Sequence, residues 1–132
     1  MEESKPVHFI FYVKDQGLSA KFYKAVLLTE PRLDVAGMTE FELNKNAILG
    51  LMPESGIKAL LGDNIADPAT ASGTARSEIY LTVDDPAAYH ARALAAGARE
   101  LSGLQKRSWG DDAAYCADPD GHVIAFASRS RS

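Results

Sequence analysis

Cysteine is nearly absent from this 132-residue chain: Cys116 is the only one. A single thiol excludes an intrachain disulfide and a zinc cage built from cysteines. It fits a compartment that keeps thiols reduced, so the expected location is the cytoplasm. Set among Ala113, Ala114, Tyr115 and Ala117, with no basic neighbour in sequence, Cys116 reads as a packed small hydrophobe rather than a nucleophile. Long apolar runs are missing too. None approaches the roughly 20 residues that span a bilayer, and the charged opening Met1-Glu2-Glu3-Ser4-Lys5 leads into a strand-like segment, unlike a signal peptide. Positive charge is not in excess. Lys and Arg number 14 against 18 Asp and Glu, a net charge of −4, and no basic stripe is visible; Arg129 and Arg131 near the end are too few to make one. Neither nucleic acid nor membrane is an expected partner. No phosphate-cradling glycine loop follows a strand, and no Ser or Cys sits in a nucleophile elbow.

What is present suits an ordinary folded domain. Hydrophobic residues make up 46% and charged residues 24%, enough apolar surface to close a core at this length. Val7–Val13 is short, aromatic and β-branched, and predicts a strand with His8, Ile10 and Tyr12 on one face and Phe9, Phe11 and Val13 on the other. Asp15 opens a helical pattern, with Leu18, Phe22 and Val26 four residues apart, closed by Pro31. Residues 38–43 and 47–52 predict two strands joined by Asn44-Lys45-Asn46. Residues 53–77 are broken by Pro and Gly and predict a long loop, with one helical turn at 57–61. Glu78–Val83 alternates as a strand. Asp84-Asp85-Pro86 starts a second helix with apolar Tyr89, Ala93 and Leu94, stopped at Gly97. Residues 113–117 and 122–127 form a last hairpin through Asp118-Pro119-Asp120-Gly121.

The halves repeat. Residues 8–15 overlay 78–85 at an offset of 70, and residues 47–51 fall on 122–126. Two copies of one unit, each with an exposed sheet face, suggest a paired sheet enclosing a cleft. This order, with Trp109-Gly110 and then Asp118-Pro119-Asp120-Gly121-His122, resembles the glyoxalase / bleomycin-resistance / extradiol-dioxygenase superfamily, the vicinal oxygen chelate proteins, over about residues 6–128. The resemblance implies an α+β fold of two βαβββ modules whose sheets curl around a cleft, module 1 at about 6–53, a linker at about 54–76, module 2 at about 77–128 and a flexible tail at 129–132. It also implies a homodimer. In metal-dependent members four positions can supply ligands; here they hold His8, Gly50, Glu78 and Ala125, so two of the four offer no donor.

The pattern is closest to the bleomycin-resistance branch, which binds a drug in a dimeric cleft without metal or turnover. It implies a small-molecule binder with no cofactor, whose planar or aromatic ligand meets His8, Tyr12, Glu78, Tyr80 and Trp109. The alternative is a glyoxalase-class lyase or isomerase in which His8 and Glu78 hold a divalent metal or act as an acid/base pair. Tyr115 joins Tyr12 and Tyr80 as a possible hydroxyl donor, and core or rim packing is the competing role. Glu42, His90 and His122 read as exposed, Asp118 and Asp120 as turn formers, and Asp111 and Asp112 as either cleft-mouth charge or a solvated loop.

Overall fold

The computed structural model describes residues 5–131, so Met1–Ser4 and Ser132 lie outside it. The chain divides into two compact units, one comprising residues up to Lys24 and Leu28–Ser72, the other Ala25–Leu27 and Gly73 onward.

The first unit holds β1 (Val7–Val13), α1 (Gln16–Leu27, except its last turn), β2 (Leu33–Val35), β3 (Met38–Asn44), β4 (Ala47–Pro53) and α2 (Glu54–Leu61). Its sheet runs β1-β4-β3-β2, with β1 parallel to β4 and the other pairs antiparallel. Alternation separates the two faces. Phe11, Val13, Thr39, Phe41, Leu49 and Leu51 are buried on one side, where Tyr23 of α1 brings its ring 6.4 Å from that of Phe41. His8, Ile10, Tyr12, Met38, Glu40 and Gly50 lie on the opposite face by register. Asp15 caps α1 by accepting a 2.9 Å bond from the Leu18 N–H. Gln16 ties the helix start to the β2–β3 hairpin: its amide donates to the Val35 carbonyl and the Thr39 hydroxyl and accepts from the Gly37 N–H.

The second unit repeats the plan with β5 (Glu78–Thr82), α3 (Pro86–Ala95), β6 (Arg99–Lys106), β7 (Asp111–Ala117) and β8 (Val123–Arg129), ordered β5-β8-β7-β6. Ile124, Phe126, Ala114 and Cys116 are buried on the α3 side, where the Tyr89 and Phe126 rings sit 5.5 Å apart. Asp85 caps α3 as Asp15 caps α1. The repeat extends to the pairing register: His8 is beside Ile48 and Ile10 beside Gly50, just as Glu78 is beside Val123 and Tyr80 beside Ala125. The expected α+β fold of two βαβββ modules is therefore what forms.

Some sequence expectations need correction. Residues 53–77 contain more structure than one turn: α2 spans eight residues, with two short 3-10 turns at Gly62–Asn64 and Pro68–Ala71. Lys58 holds this stretch by donating to the Gly62 and Ile65 carbonyls. The Gly73 backbone then passes over the 118–121 turn, so close that a Cβ on Gly121 would lie 2.9 Å from the Gly73 Cα. β8 runs through Arg129, where a tail was expected, and the Ser130 N–H donates to the Gly110 carbonyl. His90 is buried rather than exposed. It lies on α3 with Nε2 2.8 Å from a Glu100 carboxylate oxygen on β6, and its Nδ1 has no hydrogen-bond partner. Asp118 is the turn former its motif predicts; one carboxylate oxygen accepts from the Asp120 and His122 N–H groups.

Candidate functional site

Each module builds a polar device on the sheet face away from its buried apolar layer. In the first unit, β1 presents His8 and β3 presents Glu40. His8 Nε2 lies 3.4 Å from one Glu40 oxygen, and Arg32 Nε lies 3.3 Å from the other. Glu40 is largely covered, so the guanidinium offsets the cost of keeping that carboxylate charged. Tyr12 is on the same face, partly exposed, one β-strand period beyond Ile10. In sequence Glu40 is signalled only by the alternation Met38, Glu40, Glu42 within a strand, which puts a carboxylate on the His8 side, and Arg32 carries no signal.

Position 50 is filled rather than vacant. A Cβ there would lie 2.5 Å from Ile10 Cδ1 and 3.2 Å from Met38 Sδ. Ala125, its counterpart in the second unit, is fully buried and carries no donor. Among the described residues no three His, Cys, Asp or Glu side chains gather where they could share a metal ion.

In the second unit, β5 carries Glu78 and Tyr80, and the β6–β7 hairpin carries Trp109. That hairpin turns through residues 107–110. Gly110 adopts φ +97°, a value open to glycine, and its N–H donates to the Arg107 carbonyl. The indole Nε1–H of Trp109 donates to the Tyr80 hydroxyl at 2.9 Å, and that hydroxyl donates to Asp111 at 2.6 Å. Burial and the bond to Asp111 push the Tyr80 phenol pKa above its ordinary value, with the Trp109 N–H acting in the opposite sense. Tyr115, beside Ala125 on the same face, is also shifted upward, first by burial and then by the charge of Glu78, against the opposing pull of Arg107. Both phenols therefore keep their protons at neutral pH.

The chemical result is specific. The polar edge of the indole is hydrogen-bonded while 54% of Trp109 is exposed, so an aromatic surface is offered to solvent. Tyr80 and Trp109, both expected at the site, are in direct contact. Glu78 acts electrostatically on Tyr115. His8 and Tyr12 belong to the first unit, where the carboxylate beside His8 is Glu40. Asp111, at the start of β7, anchors Tyr80 by accepting from its hydroxyl.

Comparison with known proteins gives a consistent picture. A family model described as the glyoxalase/bleomycin resistance protein/dioxygenase superfamily matches residues 5–126. No curated protein matches. Among solved structures, a glyoxalase-related enzyme from Fulvimarina pelagi superposes with a TM-score of 0.80 at 20% identity, covering 96% of this chain and 89% of that one. A glyoxalase/bleomycin resistance protein/dioxygenase family enzyme from Burkholderia phytofirmans gives 0.79 at 13% identity, covering 93% and 97%. A glyoxalase/bleomycin resistance protein/dioxygenase from Nocardioides gives 0.77 at 16% identity, covering 100% and 87%. These likenesses describe the fold, and the family match spans nearly all of both modules: the chain belongs to the glyoxalase/bleomycin resistance protein/dioxygenase superfamily.

Proposed function

We propose that this chain is a metal-independent small-molecule binding protein of the glyoxalase/bleomycin-resistance type, taking a planar or aromatic ligand in the cleft of a homodimer and acting by sequestration or delivery. The observation that carries the reading is Trp109, exposed on its face and bonded through Nε1 to Tyr80 and on to Asp111. An exposed indole whose polar edge is already hydrogen-bonded offers a flat surface on which a planar ligand can stack. His8, Tyr12, Glu78 and Tyr80 supply the polar contacts. The absence of a resident metal is proposed because Gly50 and Ala125 offer no donor and because Arg32 already engages Glu40, the carboxylate nearest His8.

The test is a thermal-shift screen of planar aromatic drugs, glutathione adducts and small carbonyl compounds, with and without EDTA, followed by titration of each hit against Trp109→Ala. Stacking is worth about 0.5–1.5 kcal/mol beyond buried area. Affinity should therefore fall at least about twofold in the variant, because lost contact area adds to the lost stacking. Hits that stabilise the protein only with added Ni²⁺, Mn²⁺ or Zn²⁺ would overturn metal independence. Light scattering on the purified chain tests the dimer, and a monomer at working concentration would refute it.

A second reading makes the chain a lyase or isomerase in which His8 and Glu78 serve as an acid/base pair or as metal ligands. It is favoured by the Glu40–Arg32 backing of His8, since a carboxylate that orients an imidazole is a common part of acid/base catalysis. With a carbonyl compound found in the screen, His8→Ala and Glu78→Ala would abolish turnover while leaving binding intact. Unchanged turnover in both variants would exclude this reading.

A further inference from the structure

We infer that Arg107 is the positioning residue that fixes the Trp109 surface. Its consequence for ligand affinity rests on the function proposed above, but its effect on Trp109 itself does not. The need for such a residue comes from β6. Pairing with β7 goes from Glu100–Cys116 to Ser102–Tyr115 and then to Gln105–Ala113, so β6 carries an extra residue at each step. Two bulges in one strand remove ladder bonds and increase local twist just before the turn that bears Trp109. The ladder resumes only at Gln105–Ala113 and Lys106–Asp112, so the bulged stretch before them needs side-chain ties to hold its register.

Arg107 supplies such ties. Its Nη2 donates to the Ser102 hydroxyl at 2.8 Å, the Gly103 carbonyl at 2.9 Å and the Ala113 carbonyl at 2.8 Å, and its Nε donates to the same Ala113 carbonyl at 3.1 Å. The guanidinium carbon lies 5.2 Å from the centre of the Tyr115 ring. One planar, five-donor group thus bridges the bulged stretch of β6, the facing strand and an aromatic ring of the candidate site. Its backbone closes the turn as well: the Arg107 N–H donates to the Asp111 carbonyl at 2.7 Å and its carbonyl accepts from Gly110. From this clamp the chain is only two residues from Trp109, whose indole then finds Tyr80. A lysine cannot reproduce the set, since its ammonium is a point charge with no fork.

Trp109 is the only tryptophan, so intrinsic fluorescence reports on this surface alone. Acrylamide quenching and steady-state anisotropy are measured on ligand-free protein well below each variant's melting temperature, for wild type, Arg107→Met, Arg107→Lys and Ser102→Ala, with Tyr80→Phe as the control that cuts the indole bond directly. The account expects Arg107→Met to raise the quenching constant about twofold and lower the anisotropy, as Tyr80→Phe does, because a locally freed hairpin opens without global unfolding. Arg107→Lys should recover less than half of the difference, and Ser102→Ala should move the signal slightly in the same direction. If Arg107→Met does not fold, Arg107→Lys and Ser102→Ala decide. Wild-type quenching and anisotropy in every folded variant at 107 and 102 would overturn the proposal. A failed ligand screen would leave this result untouched, so the two readings fail separately.

Discussion

Leu28 ends α1 in the left-handed region, at φ 54° and ψ 42°, with its side chain exposed. A leucine there crowds its Cβ against the carbonyl at a cost of about 1–2 kcal/mol, part of which a glycine recovers after its own entropy is counted. Leu28→Gly should therefore raise stability by about 0.5–1 kcal/mol in denaturant unfolding; a loss would show that the leucine's contacts within the chain and the entropy of glycine outweigh the strain. Cys116 shows the opposite situation, a residue made inert by its surroundings. Burial, with the charge of Asp118 adding to it, pushes its thiol from 9.0 up to about 11. The thiol form is favoured by the fold, so this contribution to stability is whole below pH 9 and is lost as pH rises from 9 towards 11. The loss is on the order of 2 kcal/mol. Unfolding free energies at pH 8 and pH 10.5 should differ by less in Cys116→Ala than in wild type, and native protein at pH 8 should resist iodoacetamide until denatured. Rapid native alkylation would contradict the placement.

At the scale of elements, the two modules use the same devices at the same spacing. Asp15 and Asp85 cap their helices through matching bonds to the residue three positions on. Asp85→Ala should cost about 1 kcal/mol, measured as a shift in the denaturation midpoint, and Asp15→Ala a similar amount. Elements like these were legible because each carries its own signal: a cap, a period, or a run of β-branched and aromatic residues. β2 and β6 carry none. β2 is three exposed residues, and β6, Arg99–Lys106, is polar, contains Gly103 and is twice bulged, so no alternation survives along it. α2 has only a weak signal in sequence, because it follows Pro53 without a side-chain cap and contains Gly56. His90 reads as exposed because a histidine between Tyr89 and Ala91 on a helix gives no sign that Glu100, ten residues away, will bond to it. For the site, the residue types were legible but their partners were not. Tyr80 and Trp109 meet across 29 positions, and Glu40 reaches His8 from a strand whose own sequence suggests solvated charge.

Across the whole molecule, duplication has preserved the frame while the two faces have diverged. In equivalent places the first module has Ile10 over Gly50, and the second has Tyr80 beside Ala125. One face then gathers a histidine, a carboxylate and a guanidinium. The other gathers two neutral phenols, an open indole and the carboxylates of Glu78 and Asp111. A shared fold does not fix chemistry, so the functional claim rests on these side chains. The most direct measurement is the titration of a planar aromatic compound, found by thermal shift in the presence of EDTA, against wild-type protein and Trp109→Ala. The account predicts saturable binding that survives the chelator and weakens at least about twofold in the variant. Binding that disappears with EDTA, or that is equally tight without the indole, would contradict it.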